Sequence, residues 1–181
     1  VMANENPVDV EGTFMLGAAQ LDRFMMKVYS ESLSEEQELS IAASHQLKDT
    51  DIKQVISKEE VLEIRDFIRN NIIVSSEIRK DIIRVIRYLR PDGGVVNPDD
   101  FYLLPEGERG YLFLERGSKT RAFLKGRKHV NFSDIAALAF PVLNHRLGFQ
   151  HISNDVEKIK KAKEVIAAAV EKVLQDGARG I

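Results

Sequence analysis

The stretch from Val1 to Phe24, VMANENPVDVEGTFMLGAAQLDRF, decides how the rest of the chain is read. Asn4 and Asn6 end what reads as a short strand. A turn centred on Gly12 follows, and a short helix then carries Leu21, Asp22, Arg23 and Phe24. The next run, Phe24-Met25-Met26-Lys27-Val28-Tyr29, is apolar, aromatic and partly β-branched, which reads as a second short buried strand. Strand and turn signals give way near Ser30 to Ser34 to a run of helices. The fold class expected is mainly α, a helical bundle preceded by a short α/β segment.

Composition narrows the possible functions. The chain has 181 residues, enough for one ordinary domain or one domain plus a piece of another. It is 44% hydrophobic and 30% charged, as a globular protein would be. A formal net charge of -2 gives no electrostatic case for nucleic acid or an anionic membrane as partner. With no cysteine, disulfides and thiolate metal sites are excluded and a cytoplasmic location is expected. No apolar run approaches the ~20 residues that span a bilayer. The four histidines, His45, His129, His145 and His151, lack metal-ligand spacing, so no metal site is expected. A chain that opens on Val1 and Met2, with a strand signal at once, reads as a fragment of something longer.

Capping signals place the helices. Ser34 with Gln37, and Ser57 with Glu60, are capping boxes that start helices at about Glu35 and just after Ser57. Val61, Ile64, Phe67 and Ile68 recur at helical spacing in the second of these. Ser75 or Ser76 caps the next, whose apolar face is Ile78, Ile82, Val85, Ile86 and Leu89, and Pro91 with Gly93 and Gly94 stops it after Arg90. Arg79, Lys80, Arg84, Arg87 and Arg90 on that helix read as a solvated face. Residues 91–105 read as a loop or short hairpin. A helix over 108–125 ends at Gly126, Ser133 with Asp134 caps another, and Pro141 interrupts it. The last helix spans 155–175. Its stripe is Val156, Ile159, Ile166, Val170, Val173 and Leu174, and Gly177 is its stop signal.

Taken together these pieces resemble the MoxR-type branch of the AAA+ ATPases. That family's ATQNP-like strand end is similar to Ala3-Asn4-Glu5-Asn6-Pro7. Its EGTY-like turn resembles Glu11-Gly12-Thr13-Phe14, and its AQLDRF helix matches Ala19-Gln20-Leu21-Asp22-Arg23-Phe24. Further matches are Ser34-Glu35-Glu36-Gln37-Glu38, Val74-Ser75, Gly126-Arg127-Lys128-His129-Val130 and Pro141-Val142-Leu143-Asn144-His145-Arg146-Leu147. The resemblance implies the end of an AAA+ α/β core over 1–31, a helical lid over 32–148, and a C-terminal helix over 149–181.

It also implies roles. Asn6, with Asn4 as the alternative, corresponds to the amide that faces the nucleotide's terminal phosphate. Arg23 corresponds to the arginine finger, a guanidinium supplied to a neighbouring subunit. Arg109 corresponds to the lid arginine that contacts nucleotide. The Ser-Pro that precedes this arginine in the family is absent, Glu108 standing beside it, and Arg121 is the other candidate. The phosphate loop G-x-x-x-x-G-K-[ST] occurs nowhere in the chain. ATP and Mg²⁺ are therefore expected in the full-length protein, and neither binding nor turnover in this fragment alone. The resemblance implies a ring of subunits, expected to be a hexamer, that remodels a partner in a chaperone-like way. A protein with a von Willebrand factor A domain is an implied partner. The rival readings are a free-standing helical interaction module and the lid of a DNA-translocating AAA+ relative.

Overall fold

A computed structural model describes residues 2–4, 16–30, 32–44, 53–95, 101–103, 108–152 and 154–178. The elements in chain order are α1 (Ala18–Leu21), α2 (Glu35–Ser44), α3 (Lys58–Asn71), α4 (Ser76–Tyr88), β1 (Phe101–Leu103), α5 (Arg109–Leu124), α6 (Phe132–Leu143), a 3₁₀ turn (Asn144–Arg146), β2 (Leu147–Phe149) and α7 (Asp155–Ala178). The fold is mainly α, as the sequence implied.

Helix starts follow the local chemistry. The Ser57 hydroxyl accepts from the Glu60 N–H at 3.1 Å, and the Glu60 carboxylate accepts from the Ser57 N–H at 2.7 Å. Two backbone donors without helical partners are met at once. Ser75 caps α4 through the Ile78 N–H. The cap of α6 is Asn131, two residues before the expected Ser133: the Asn131 N–H donates to the Asp134 carboxylate at 2.9 Å. Gly126 closes α5 with φ +70°, the left-handed region where glycine carries no Cβ penalty.

Helices α4, α5, α6 and α7 surround one core. Ile82, Val85, Leu89, Leu114, Ile135, Val142, Leu143 and Val173 are all essentially inaccessible. Burying each such side chain is worth about 1.5–3 kcal/mol against leaving it in water. At one end Tyr88 donates to Asp176, and Lys172 lies 4.4 Å from the Tyr88 ring centroid while donating to the Gly93 carbonyl. These contacts tie α4 to α7. A smaller cluster of Ile72, Val74, Ala122 and Val130 joins the end of α3 to the end of α5. There Ile73 and His129 form a parallel bridge, the Ile73 N–H donating to Lys128 and the Val130 N–H to Ile73.

Several readings are corrected. The expected strand over 24–29 is irregular chain, bent at Phe24 and Met25, with no ladder partner among the described residues. Of the N-terminal stretch, residues 2–4 have no regular structure, while 5–15 lie outside the described residues. The strands that form are β1 and β2, antiparallel, with Tyr102 opposite Gly148. Helix α7 runs through Gly177 to Ala178. Its buried face is Ala162, Val165, Ile166, Ala169 and Val173, whereas Val156 is 75% and Leu174 52% exposed. The apolar stripe of α3 is largely open, with Val61, Ile64 and Phe67 exposed. The basic face of α4 is solvated at Arg79, Lys80, Arg84 and Arg87, Arg79 pairing with Glu115 at 3.2 Å and Arg84 with Asp81 at 3.2 Å, whereas Arg90 is half-buried.

Candidate functional site

The short helix α1 and the chain after it lie on the C-terminal end of α6. The Gln20 side chain accepts from the Gly17 N–H at 3.0 Å and fixes the start of α1. Asp22, only 2% exposed, follows the helix. A carboxylate buried this deeply is costly unless paired and hydrogen-bonded. Arg146, also 2% exposed, meets it: Nε donates to Oδ1 at 3.1 Å, and Nη2 donates to the Asp22 carbonyl at 2.8 Å and the Phe24 carbonyl at 2.9 Å. Arg146 Nη1 donates to the Val142 carbonyl one helical turn back. Its guanidinium lies 5.3 Å from the Phe113 ring centroid. Arg109, first residue of α5, completes the group. Its Nη1 donates to Asp22 Oδ2 at 2.7 Å, yet its side chain is 50% exposed. One carboxylate thus holds a buried and an exposed guanidinium.

Beyond Phe24 the chain stays on the same surface. The Lys27 N–H donates to the Pro141 carbonyl at 2.8 Å. The Asn144 amide donates to the Lys27 carbonyl at 2.9 Å and to Phe140 at 2.7 Å, and its oxygen accepts from the Tyr29 hydroxyl at 3.2 Å. Met25 and Met26 face Gly117, where an added Cβ would lie 3.4 Å and 3.1 Å from their methyl carbons. Glycine at 117 lets this strap approach α5.

His145 lies under the strap, with Nε2 3.1 Å from the Phe24 carbonyl and 2.6 Å from Arg146 Nη1. Burial, then the Arg146 charge, lowers its pKa from 6.5 to about 4. The ring is neutral at pH 7. Between pH 6.5 and 4 the unfolded chain therefore binds a proton that the folded chain refuses, so stability falls as pH falls through that window. The loss is at most about 3 kcal/mol at 1.36 kcal/mol per pKa unit. Urea midpoints at pH 7 and pH 4.5 are expected to differ measurably, and His145→Gln to reduce the difference. An unchanged difference in the variant would place the sensitivity elsewhere.

The second polar cluster, around Asp134, is architectural. Asp134 is inaccessible and takes a two-bond fork from Arg127, at 2.7 Å and 2.8 Å. Burial alone would raise this carboxyl, but the fork, the Asn131 N–H and nearby Arg121 together hold it below its usual value. Arg121 sits 3.5 Å from the same carboxylate. Arg127, part of the motif that suggested a family, joins the end of α5 to the start of α6.

The residues singled out from the sequence are thus distributed. Arg23 is exposed, and its side chain has no partner among the described residues. Arg109 is paired with Asp22, the neighbour of Arg23 in sequence. Arg121 belongs to the Asp134 cluster. Asn6 lies outside the described residues, and Asn4 is exposed chain. Sequence reasoning missed the partnership of Asp22 with Arg146, 124 positions apart. The only signal was that both lie inside matched motifs, LDRF and HRL.

The described residues thus combine a four-helix core, a short antiparallel strand pair and a strap bearing Leu-Asp-Arg-Phe. The family model described as "AAA lid domain" matches residues 102–169. "Chaperone MoxR1" of Mycobacterium tuberculosis is 26% identical over 148 residues, covering 81% of this chain and 39% of that protein. YeaC of Bacillus subtilis, an uncharacterised protein, is 30% identical over 151 residues, covering 81% of this chain and 44% of that protein. A crystal structure described as a candidate ATPase from Cytophaga hutchinsonii superposes with a TM-score of 0.76 at 30% identity, over 94% of this chain and 51% of that chain. The chain carries an AAA lid domain of the MoxR type. It spans less than half the length of the curated relatives it matches. Among the described residues no helix is long and apolar enough to cross a membrane.

Proposed function

We propose that this chain supplies the lid and the end of the α/β core to a MoxR-like ATPase. The full-length protein would bind and hydrolyse ATP in a ring, a hexamer in this reading, and use the cycle for chaperone-like remodelling of a partner. A protein with a von Willebrand factor A domain is the partner class suggested. The core end is 1–31, the lid 32–148 and the C-terminal helix 149–181. The reading is carried by one observation: Arg23 is exposed, with no described partner, while its neighbours Asp22 and Phe24 are both held by Arg146. A guanidinium presented on a fixed backbone suits delivery to a phosphoryl group on another subunit.

The lid also holds a donor suited to phosphate. Arg109 donates one N–H to Asp22 and keeps half of its side chain in solvent, so further N–H groups remain to receive an anionic oxygen. Asn6 would add a neutral amide on the core side. ATP with Mg²⁺ supplies the phosphoryl group and the charge screening of its oxygens; Arg23, Arg109 and Asn6 would orient and neutralise. The full-length protein is expected to hydrolyse ATP as a ring-sized assembly in light scattering, and a monomer without turnover would contradict this reading. The 181-residue chain, which lacks the phosphate loop, is expected to show no Mg²⁺-dependent ATP binding by isothermal titration. Tight binding by this chain would place the nucleotide site in the lid itself.

A further inference from the structure

The strap over residues 22–29 is fastened at three points, and every fastening is a lid residue. Arg146 holds Asp22 and Phe24, the Pro141 carbonyl and Asn144 hold Lys27, and Asn144 holds Tyr29. Arg23 lies between the two residues that Arg146 grips. A hinge between Arg23 and helices α5 and α6 would have to break the buried pair of Asp22 with Arg146. The Leu21 carbonyl also accepts the Phe24 N–H at 3.0 Å and the Gln20 carbonyl the Arg23 N–H at 3.1 Å, which closes the remaining backbone freedom. We propose that Arg23 is carried by the lid as one rigid body, with Arg146, acting through Asp22, as its positioning residue. Any rotation of the lid then moves Arg23 by the same rotation. The catalytic consequence rests on the reading of Arg23 given above; the mechanical coupling does not.

Hydrogen exchange tests the coupling in the 181-residue chain. In the wild type, the Lys27 amide should exchange through the same opening as Leu114 and Ala139 in the core, with the same dependence on urea. Exchange of Lys27 through a separate opening insensitive to urea would overturn the proposal. Asp22→Asn keeps the shape and leaves Arg146 its three carbonyl acceptors. It should speed Lys27 exchange by about tenfold or more while Leu114 and Ala139 change little. No acceleration at Lys27 would also overturn it, because the Asp22 to Arg146 pair would then not be what fastens the strap. If this variant does not fold, the wild-type comparison still decides. In the full-length ATPase, Asp22→Asn should lower kcat by about tenfold through the aim of Arg23, with a smaller change in ATP Kd because Asp22 also holds Arg109. Parallel loss of kcat and binding contradicts a positioning role. A wild-type protein without ATPase activity would remove the proposed function and leave the exchange result standing.

Discussion

Replacing Arg23 with alanine in the full-length protein is expected to lower ATP turnover by about 10³-fold or more while ATP binding stays intact. The transferring phosphoryl group spreads negative charge over its oxygens, and a guanidinium brought to it from a neighbouring subunit stabilises that charge more than the ground state. An interaction made mainly in the transition state appears in kcat and not in binding. Arg23 is exposed, and among the described residues its side chain has no partner. Its removal should therefore shift stability by no more than about 0.5 kcal/mol, as for an ordinary surface change. Steady-state kinetics with a direct ATP-binding assay checks both halves. Equal losses in kcat and affinity would make Arg23 a ground-state contact, and a large drop in melting temperature would make it structural.

The second large effect falls on stability. Asp134→Ala is expected to cost about 3–5 kcal/mol, because it strips a buried site of one partner and leaves the charge of Arg127 uncompensated. It also removes the acceptor of the Asn131 N–H at the start of α6. Arg127 is three-quarters buried in its side chain, so it cannot recover full hydration without opening the corner between α5 and α6. Urea unfolding at pH 7 should show the whole loss. The folded carboxyl has a depressed pKa, so its contribution is fully present above the unfolded value near 3.8 and is lost as pH falls through the folded value. The gap between wild type and variant should narrow below pH 3.8 and stay constant between pH 5 and 7. A variant as stable as the wild type at pH 7 would show that the fork does not hold this corner.

Where the chemistry was local, the sequence was legible. Ser57 with Glu60 and Ser75 before Ile78 mark the starts of α3 and α4 because caps act within one turn. Gly126 marks the end of α5 because only its φ required glycine; Gly177, in a helical conformation, carries no such signal. The stripe on α7 holds at Ile166, Val170 and Val173 and fails at its ends, Val156 and Leu174, because it was traced through the large apolar residues alone. The contact surface also includes Ala162, Val165 and Ala169, which the stripe left out. The stretch 24–29 has the composition of a strand, but its backbone groups are met by the Pro141 carbonyl and the Asn144 side chain, which no local pattern announces.

The candidate site was legible by half. Arg23 and Arg109 came from motif resemblance, and the fold pairs Arg109 with Asp22, next to Arg23 in sequence. Arg146 was invisible as a site residue because its significance lies in a partner at the other end of the chain. The HRL string enters the sequence reading only as part of a motif match, and it is the fold that shows Arg146 to have almost no access to water.

The account stands on Arg23 acting across a subunit boundary. Its most direct test mixes two inactive forms of the full-length protein, one carrying Arg23→Ala and the other a disabled phosphate loop. Each supplies what the other lacks at a shared interface. Random co-assembly at equal amounts should restore roughly a quarter of wild-type ATP turnover, from interfaces that pair an intact loop with an intact Arg23. Mixed rings that form and yet show no turnover would contradict it.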